Sequence, residues 1–298
     1  MKRISIGSWA YTIGPYQKNP VSWKEVLANL KRLGFDGVEL GGFPPHPNPD
    51  DLKTKDQRAA VRAELAKMGL AWSGLAANLW DQKLINTDDP KPYIARFRQN
   101  VEFAVDLGIP GIRVDTVQPP TIFKEVDAET ARKRVVETWK VCTREAADQG
   151  LYVTWEFEPG FAFNKPSDIL RIVEEVDHEQ FGILLDTCHA HMVAAVGSRQ
   201  PGPVETLPGG AVELVRRLAG KINHIHIIDS DGTLHGDETS THAPFGEGLI
   251  DWDEMVPALN DAGVSHDWWT IDLCFWPDAW AVTERCKEFV DELNVRFG

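Results

Sequence analysis

Lys31–Leu40, KRLGFDGVEL, packs the end of one element, a turn and the start of another into ten residues. The helix-forming run closes on Gly34, since the left-handed position just past a helix end costs glycine least. A short β-rich run, GVEL, follows almost at once. The same grammar returns five times, in AKMG-LAWSGL, VDLG-IPGIRV, ADQG-LYVTWEF, LAG-KINHIHII and NDAG-VSHDWWTIDL, with Gly69, Gly108, Gly150, Gly220 and Gly263 as the hinges. Read outward from these hinges, strands are predicted near 4–9, 37–42, 70–77, 111–116, 151–158, 182–187, 222–229 and 268–274. Helices are predicted near 22–33, 55–68, 90–107, 127–149, 166–176, 209–219, 251–262 and 278–296. Several helix starts carry capping residues: Ser22 with Glu25, Asp127 before AETARKRVVE, and Asp251 with Glu254.

Strands separated by helices pair in parallel. Eight such units suit an α/β chain folded as a single (β/α)8 barrel over residues 1–298. The rival, an open doubly wound sheet, usually carries a Gly-rich turn after its first strand. Here GSWAYTIGP stands in that place. The longest irregular stretches, near 42–54, 189–208 and 230–250, all follow strands, where a barrel keeps its active-site loops.

The formal net charge of −14 speaks against nucleic acid as a partner, because phosphate-backbone affinity comes largely from Lys and Arg. MKRISIGSWAYT has no long apolar run behind its basic residues, so no signal peptide is read there. No stretch is long and apolar enough to suggest a membrane span. Cys142, Cys188, Cys274 and Cys286 lie far apart with no CxxC pair, which fits reduced, mostly buried thiols in a cytoplasmic protein.

Parity within the strands locates the chemistry. Alternate residues of a barrel strand face the helices or the interior. In VTWEFEP the apolar set Val153, Trp155 and Phe157 takes the helix side, which turns Thr154, Glu156 and Glu158 inward. The same test turns Arg113, Asp115, Asp186, His224, His226, Thr270, Asp272 and Glu39 inward. Glu158, Asp186, His226 and Asp272 are the last or nearly last inward residues of their strands. Three carboxylates and an imidazole at one height repel one another without a cation. A mainly carboxylate set with one histidine suits one divalent ion such as Mn, Co, Mg or Fe. The plain alternatives are a capping role for Asp186 and a lumen-filling role for His226. Glu156 lies one layer deeper beside Arg113, so an ion pair is its first reading, and Glu158 is left as the metal-facing carboxylate. Trp9, Trp80 and Trp276 end strands or begin loops on the same face, where they could form sugar platforms or simply core. Trp23, Trp139 and Trp280 fall in helices and read as core.

Taken in order, KRLGFDGVEL, EFEPG, LLDTCH, HIHIIDSDG, HAPFGEGLIDW and WWTIDL resemble the xylose-isomerase-like TIM barrels. That sugar phosphate isomerase/epimerase group includes ketose 3-epimerases, inosose dehydratases and an apurinic endonuclease branch. The resemblance runs essentially end to end. It implies a metal held by Glu158, Asp186, His226 and Asp272. It further implies that His189 contacts the sugar, that Asp229 is another polar active-site residue, and that Glu247 belongs to a signature loop. Arg113, Glu156, Trp9 and Trp276 complete the expected substrate surround. Two departures weigh against plain 3-epimerisation: the last-strand acid is Asp272 where the family carries Glu, and HIIDSDGTLHG lacks the epimerases' arginine.

The expected activity is therefore a sugar or keto-sugar isomerase or epimerase. It would work through a metal-stabilised enediolate, with Glu158 as base and Asp272 or His189 returning the proton. The alternative is a lyase or dehydratase that eliminates a β-substituent from a 3-keto sugar, 3-keto-glycoside or inosose at the same site. The expected partner is the small-molecule sugar, in a chain that could also form homo-oligomers or join a larger complex.

Overall fold

A computed structural model describes residues 1–264 and 266–298. Its strands are β1 (Arg3–Ile6), β2 (Gly37–Gly41), β3 (Ala71–Ala76), β4 (Gly111–Val114), β5 (Tyr152–Glu156), β6 (Phe181–Asp186), β7 (Ile222–Ile227), β8 (Asp229–His235), β9 (Thr239–Ala243) and β10 (Trp268–Ile271). Eight of them form one parallel sheet in the order β1-β10-β7-β6-β5-β4-β3-β2. A parallel bridge between Gly7 and Glu39 brings its two edges together as a (β/α)8 barrel.

The helices are α1 (Trp23–Arg32), α2 (Lys55–Lys67), α3 (Lys91–Leu107), α4 (Ala128–Ala147), α5 (Pro166–Val176), α6 (Thr187–His191), α7 (Gly210–Arg217), α8 (Trp252–Asp261) and α9 (Ala279–Phe297). The caps read from the sequence are present. Ser22 and Glu25 form a reciprocal capping box, the Asp127 side chain accepts from Thr130 N, and Asp251 accepts from Asp253 N and Glu254 N. The six hinge glycines all have φ between 70° and 77°.

Outward strand residues meet the helices as parity requires. Trp155 of β5 packs on Trp139 of α4 with ring centroids 5.3 Å apart, and both are fully buried. Val153, Ile183, Leu185, Ile225 and Ile271 are buried in the same hydrophobic core.

Two segments differ from the sequence reading. The stretch 230–250, read as irregular, contains the antiparallel hairpin β8–β9. Its turn, closed by Glu238 N donating to His235 O, places Gly236 and Asp237 at φ 59° and 57°. That Gly-Asp signal is legible, but the flanking DSDGTLH lacks the apolar alternation that marks a strand. The stretch 189–208 begins with the end of α6 and a π-helical turn at Met192–Val196. Strands β1, β5 and β10 also stop two or three residues short of the predicted ends, because the chain leaves the sheet as it enters the active-face loops.

Candidate metal centre

Glu156 ends β5, Asp186 ends β6, His226 stands one residue before the end of β7, and Asp272 follows β10 directly. The sheet register pairs Asp186 with His226 and His226 with Thr270, so parallel strands deliver these groups to one height. Each of the four offers an atom to a buried cluster in which all donor atoms lie within 4.8 Å of one another.

Three of the four residues offer an atom that is unsatisfied within the chain. Glu156 Oε1, Asp186 Oδ2 and His226 Nδ1 are buried without a hydrogen-bond partner. His226 Nδ1 lies 3.0 Å from Glu156 Oε1 and 3.5 Å from Asp272 Oδ2, yet neither approach is aligned as a hydrogen bond. A buried polar atom left unpaired costs about 1–3 kcal/mol. Three such atoms converging on one point fit a divalent cation.

The surrounding shell orients this set. Glu39 Oε2 lies 3.1 Å from His226 Nε2 and 2.7 Å from His224 Nε2. An Nε2 proton directed at Glu39 would leave the Nδ1 lone pair of His226 for a bound ion, the usual arrangement behind a metal-ligating histidine. Arg113 pairs with Glu156 Oε2 and donates to Asp115 Oδ2 at 3.2 Å, the ion pair expected from parity. Asp272 Oδ1 accepts from Trp9 Nε1 at 2.8 Å and from Cys274 N at 2.9 Å. Asp186 Oδ1 accepts from His189 N at 2.8 Å. Burial pushes Asp186 up to about 7, with the Asp272 charge adding to the rise and His242 opposing it. For Asp272, burial works toward a raised pKa, but His242 and His226 outweigh it and hold the carboxyl well below its ordinary value.

The sequence reading put Glu158 in the metal-facing position and Glu156 in the ion pair. The structure brings Glu156 into both roles, one oxygen on Arg113 and the other in the four-donor cluster. Glu158 stands outside that cluster. The reason is where β5 ends: the sheet stops at Glu156, and Glu158 sits in the loop above it. There it accepts a hydrogen bond from Thr239 Oγ1 and lies 3.4 Å from His189 Nε2. Burial pushes its carboxyl up to about 7, and the Glu156 charge adds to the rise. His189 Nδ1 is 2.8 Å from Ser240 Oγ.

A cavity of about 340 Å³ opens over the cluster. Glu156, Asp272, Arg113, Glu158 and His189 line its polar side. Trp9, Phe43, Trp80 and Phe275 are among its apolar walls, and Trp80 packs on Phe43 at 5.3 Å. Two expected substrate residues lie elsewhere. Trp276 packs partly buried against the main core, and its neighbour Phe275 lines the cavity instead. Asp229 collects the backbone N–H groups of Ser230, Gly246, Gly248 and Ile250, so its carboxylate organises the GEG loop rather than facing the cavity. A Cβ on Gly248 would come within 2.2 Å of Asp229 Oδ1, which explains the glycine. Glu247 is exposed and pairs with Arg285.

Sequence reasoning missed His242, Thr239 and Ser240, all on β9. His242 is buried, with Nδ1 3.6 Å from Asp272 Oδ1 and Nε2 4.0 Å from Asp186 Oδ1. The HAPFGEG motif was the available signal.

Comparison with known proteins agrees with the barrel fold. The model of the xylose isomerase-like TIM barrel family matches residues 27–285. An inosose dehydratase from Erwinia tasmaniensis is 21% identical over 263 residues, covering 81% of this chain and 79% of that protein. A D-psicose 3-epimerase from Ruminiclostridium cellulolyticum is 25% identical over 261 residues, covering 83% and 77%. Among solved structures, the IOLI protein with a binding zinc atom superposes with a TM-score of 0.74 at 20% identity, covering 100% of this chain and 98% of that one. At that identity the superposition speaks for the fold. Among the described residues no helix is long and apolar enough to cross a membrane.

Proposed function

Because the chain belongs to the xylose isomerase-like TIM barrel family, we propose that it is a divalent-metal-dependent enzyme acting on a sugar or keto-sugar. Its reaction begins with removal of the proton alpha to a carbonyl and leads to an isomer or epimer. The observation that carries this reading is the convergence of three unpaired buried atoms, from Glu156, Asp186 and His226, beside Asp272 at the floor of a substrate-sized cavity. The activities for which the relatives are named, dehydration of an inosose and 3-epimerisation of a ketose, belong to the same kind of chemistry.

Glu156, Asp186, His226 and Asp272 hold the ion. Bound there, a divalent cation supplies Lewis acidity toward a carbonyl and its neighbouring hydroxyl, and so stabilises negative charge that develops on the substrate. Glu158 is the base. It lines the cavity, stands free of the four-donor cluster and is set by Thr239. His189, held by Ser240, receives or returns the proton across the 3.4 Å gap to Glu158 Oε2. Arg113 keeps Glu156 ionised and fixed, while Trp9 and Cys274 fix Asp272. The reduced cysteines suit a cytoplasmic setting.

The lyase or dehydratase reading draws on a specific feature of the same site. Epimerisation needs proton donors on two faces of the substrate carbon. Here Glu158 and His189 stand together, and Oδ1 of Asp272 already accepts two N–H groups. A single proton-handling pair suits loss of a β-substituent from a 3-keto sugar, a 3-keto-glycoside or an inosose.

The test is NMR in D2O with manganese-loaded protein and panels of ketoses, 3-keto-glycosides and inososes. Deuterium entering alpha to the carbonyl of a ketose supports isomerase or epimerase chemistry. Release of water or aglycone supports elimination. Full metal loading with no exchange and no release from any of them overturns the enzymatic reading.

A further inference from the structure

The cavity over the candidate metal centre has two chemically different sides. Glu156, Asp272, Arg113, Glu158 and His189 make one side polar. The other is built from loops beyond the ends of β1 to β4, where Ile13, Phe43, Trp80, Val117 and Pro119 line it. Trp9, Phe43 and Ala76, with Ile13 and Cys274 packed on them, form a hydrophobic cluster separate from the main core, and all five line the cavity. Trp80 packs on Phe43 and is 42% exposed, the one exposed aromatic side chain among the described residues.

The side chains of this wall offer a sugar hydroxyl no partner. The Trp9 indole N–H donates to Asp272, and the Trp80 N–H donates to Asp115 Oδ2 at 3.3 Å. A hydroxyl turned toward the wall would be buried unpaired, whereas a planar apolar group would lose nothing there. The wall is also held in place at a cost in backbone strain. Val117 stands at φ 64° and Phe275, which lines the same cavity, at φ 61°. Side chains bearing a Cβ rarely adopt such angles, a β-branched one least of all, and strain of this kind collects where ligands bind. Val117 N donates to Asp115 Oδ1 at 2.9 Å, and Phe275 stacks on His235 with ring centroids 4.8 Å apart. Asp115 thereby ties Trp80 and Val117 to Arg113, and through Arg113 to Glu156. One carboxylate fixes the apolar wall relative to the donor cluster.

We propose that this wall is a subsite for a planar aromatic group carried by the substrate, so that the sugar bound at the metal centre is an aryl glycoside of a keto-sugar rather than a free sugar. It rests on the metal-dependent reading above and narrows its substrate class. The aryl ring packs against Trp80 and Phe43 in an offset or tilted arrangement, while the sugar's oxygens meet the polar side. A free ketose fills the polar side alone and leaves the indole in water.

The experiment titrates phenyl and methyl 3-keto-β-glucoside into manganese-loaded, full-length Glu158→Gln protein, where the ligand is held without turnover, and reads affinity by calorimetry. The phenyl compound should bind at least about tenfold tighter, from the apolar area that its ring buries. Adding Trp80→Ala should bring the two compounds to near parity, and Trp80→Phe should keep most of the preference because it keeps an aromatic face. Equal affinities without the Trp80 substitution overturn the subsite, as does binding of neither compound. A phenyl preference that survives in both Trp80→Ala and Phe43→Ala overturns the residue assignment. The unaltered protein separates this proposal from the reading beneath it. A phenyl preference with no deuterium uptake and no phenol release keeps the subsite and overturns the enzymatic reading. Turnover of both compounds at equal affinity does the reverse. Unchanged circular dichroism in Trp80→Ala keeps the comparison one of ligand contact rather than of folding.

Discussion

Glu156 and Glu158 lie two residues apart on the same strand parity, and their surroundings shift their pKa values in opposite directions. At Glu156 burial works to raise the pKa, but Arg113 and His226 outweigh it and hold the carboxyl at about 2. At Glu158 burial wins, and the carboxyl stands at about 7. These environments give distinguishable outcomes on substitution. Glu156→Gln should weaken metal binding at least tenfold, read by calorimetric titration with manganese. Glu158→Gln should leave that affinity within a few-fold while lowering turnover by a factor of roughly 10²–10⁴, the usual worth of a general base. Glu39→Gln should cost about 10–100-fold in metal affinity, because Glu39 orients His226 without itself joining the cluster. Equal metal affinity in the Glu39 and unaltered proteins would remove Glu39 from the support of the site.

Elements, rather than residues, were the easiest part to read from sequence. The six Gly hinges located six of the eight barrel strands, and the capping residues located three helix starts, since those signals are local backbone chemistry. Gly34 tests this directly. It sits at φ 73° with nothing within 4 Å of an added Cβ, so Gly34→Ala introduces backbone strain without a clash. The expected loss is about 1 kcal/mol, measured by urea denaturation. Parity likewise brought out Asp186, His226, Asp272 and the Arg113–Glu156 pair. It could not separate Glu156 from Glu158, which share a face, because the layer that meets the cation depends on where β5 leaves the sheet. Nor could it reach β9. The residues Thr239, Ser240 and His242 reach the site through a hairpin built of polar strands, and their approach is a tertiary fact with no periodic trace.

The barrel as a whole buries a concentration of negative charge that its own cations only partly answer. Glu39, Glu156, Asp186 and Asp272 are all nearly inaccessible, and Arg113 is the guanidinium among them. A ligand that binds the folded chain alone stabilises it by about 2.7 kcal/mol at a hundred times its dissociation constant. Manganese or cobalt should therefore raise the melting temperature by several degrees, followed by calorimetry. Asp186→Asn should abolish the rise, because its amide cannot replace the carboxylate. A melting temperature indifferent to divalent ions would contradict the candidate centre.

The meeting of β1 and β2 is the thinnest join in the wall, a lone bridge from Gly7 to Glu39. The Glu39 side chain at that join reaches inward to His224 and His226. Loading of the candidate centre would therefore act on closure of the staves: an ion held by His226 would draw, through Glu39, on the one stave whose neighbour holds it most loosely. Amide protons along this seam should exchange with solvent more slowly in the loaded protein than in the stripped one, while those between β5 and β6 barely change.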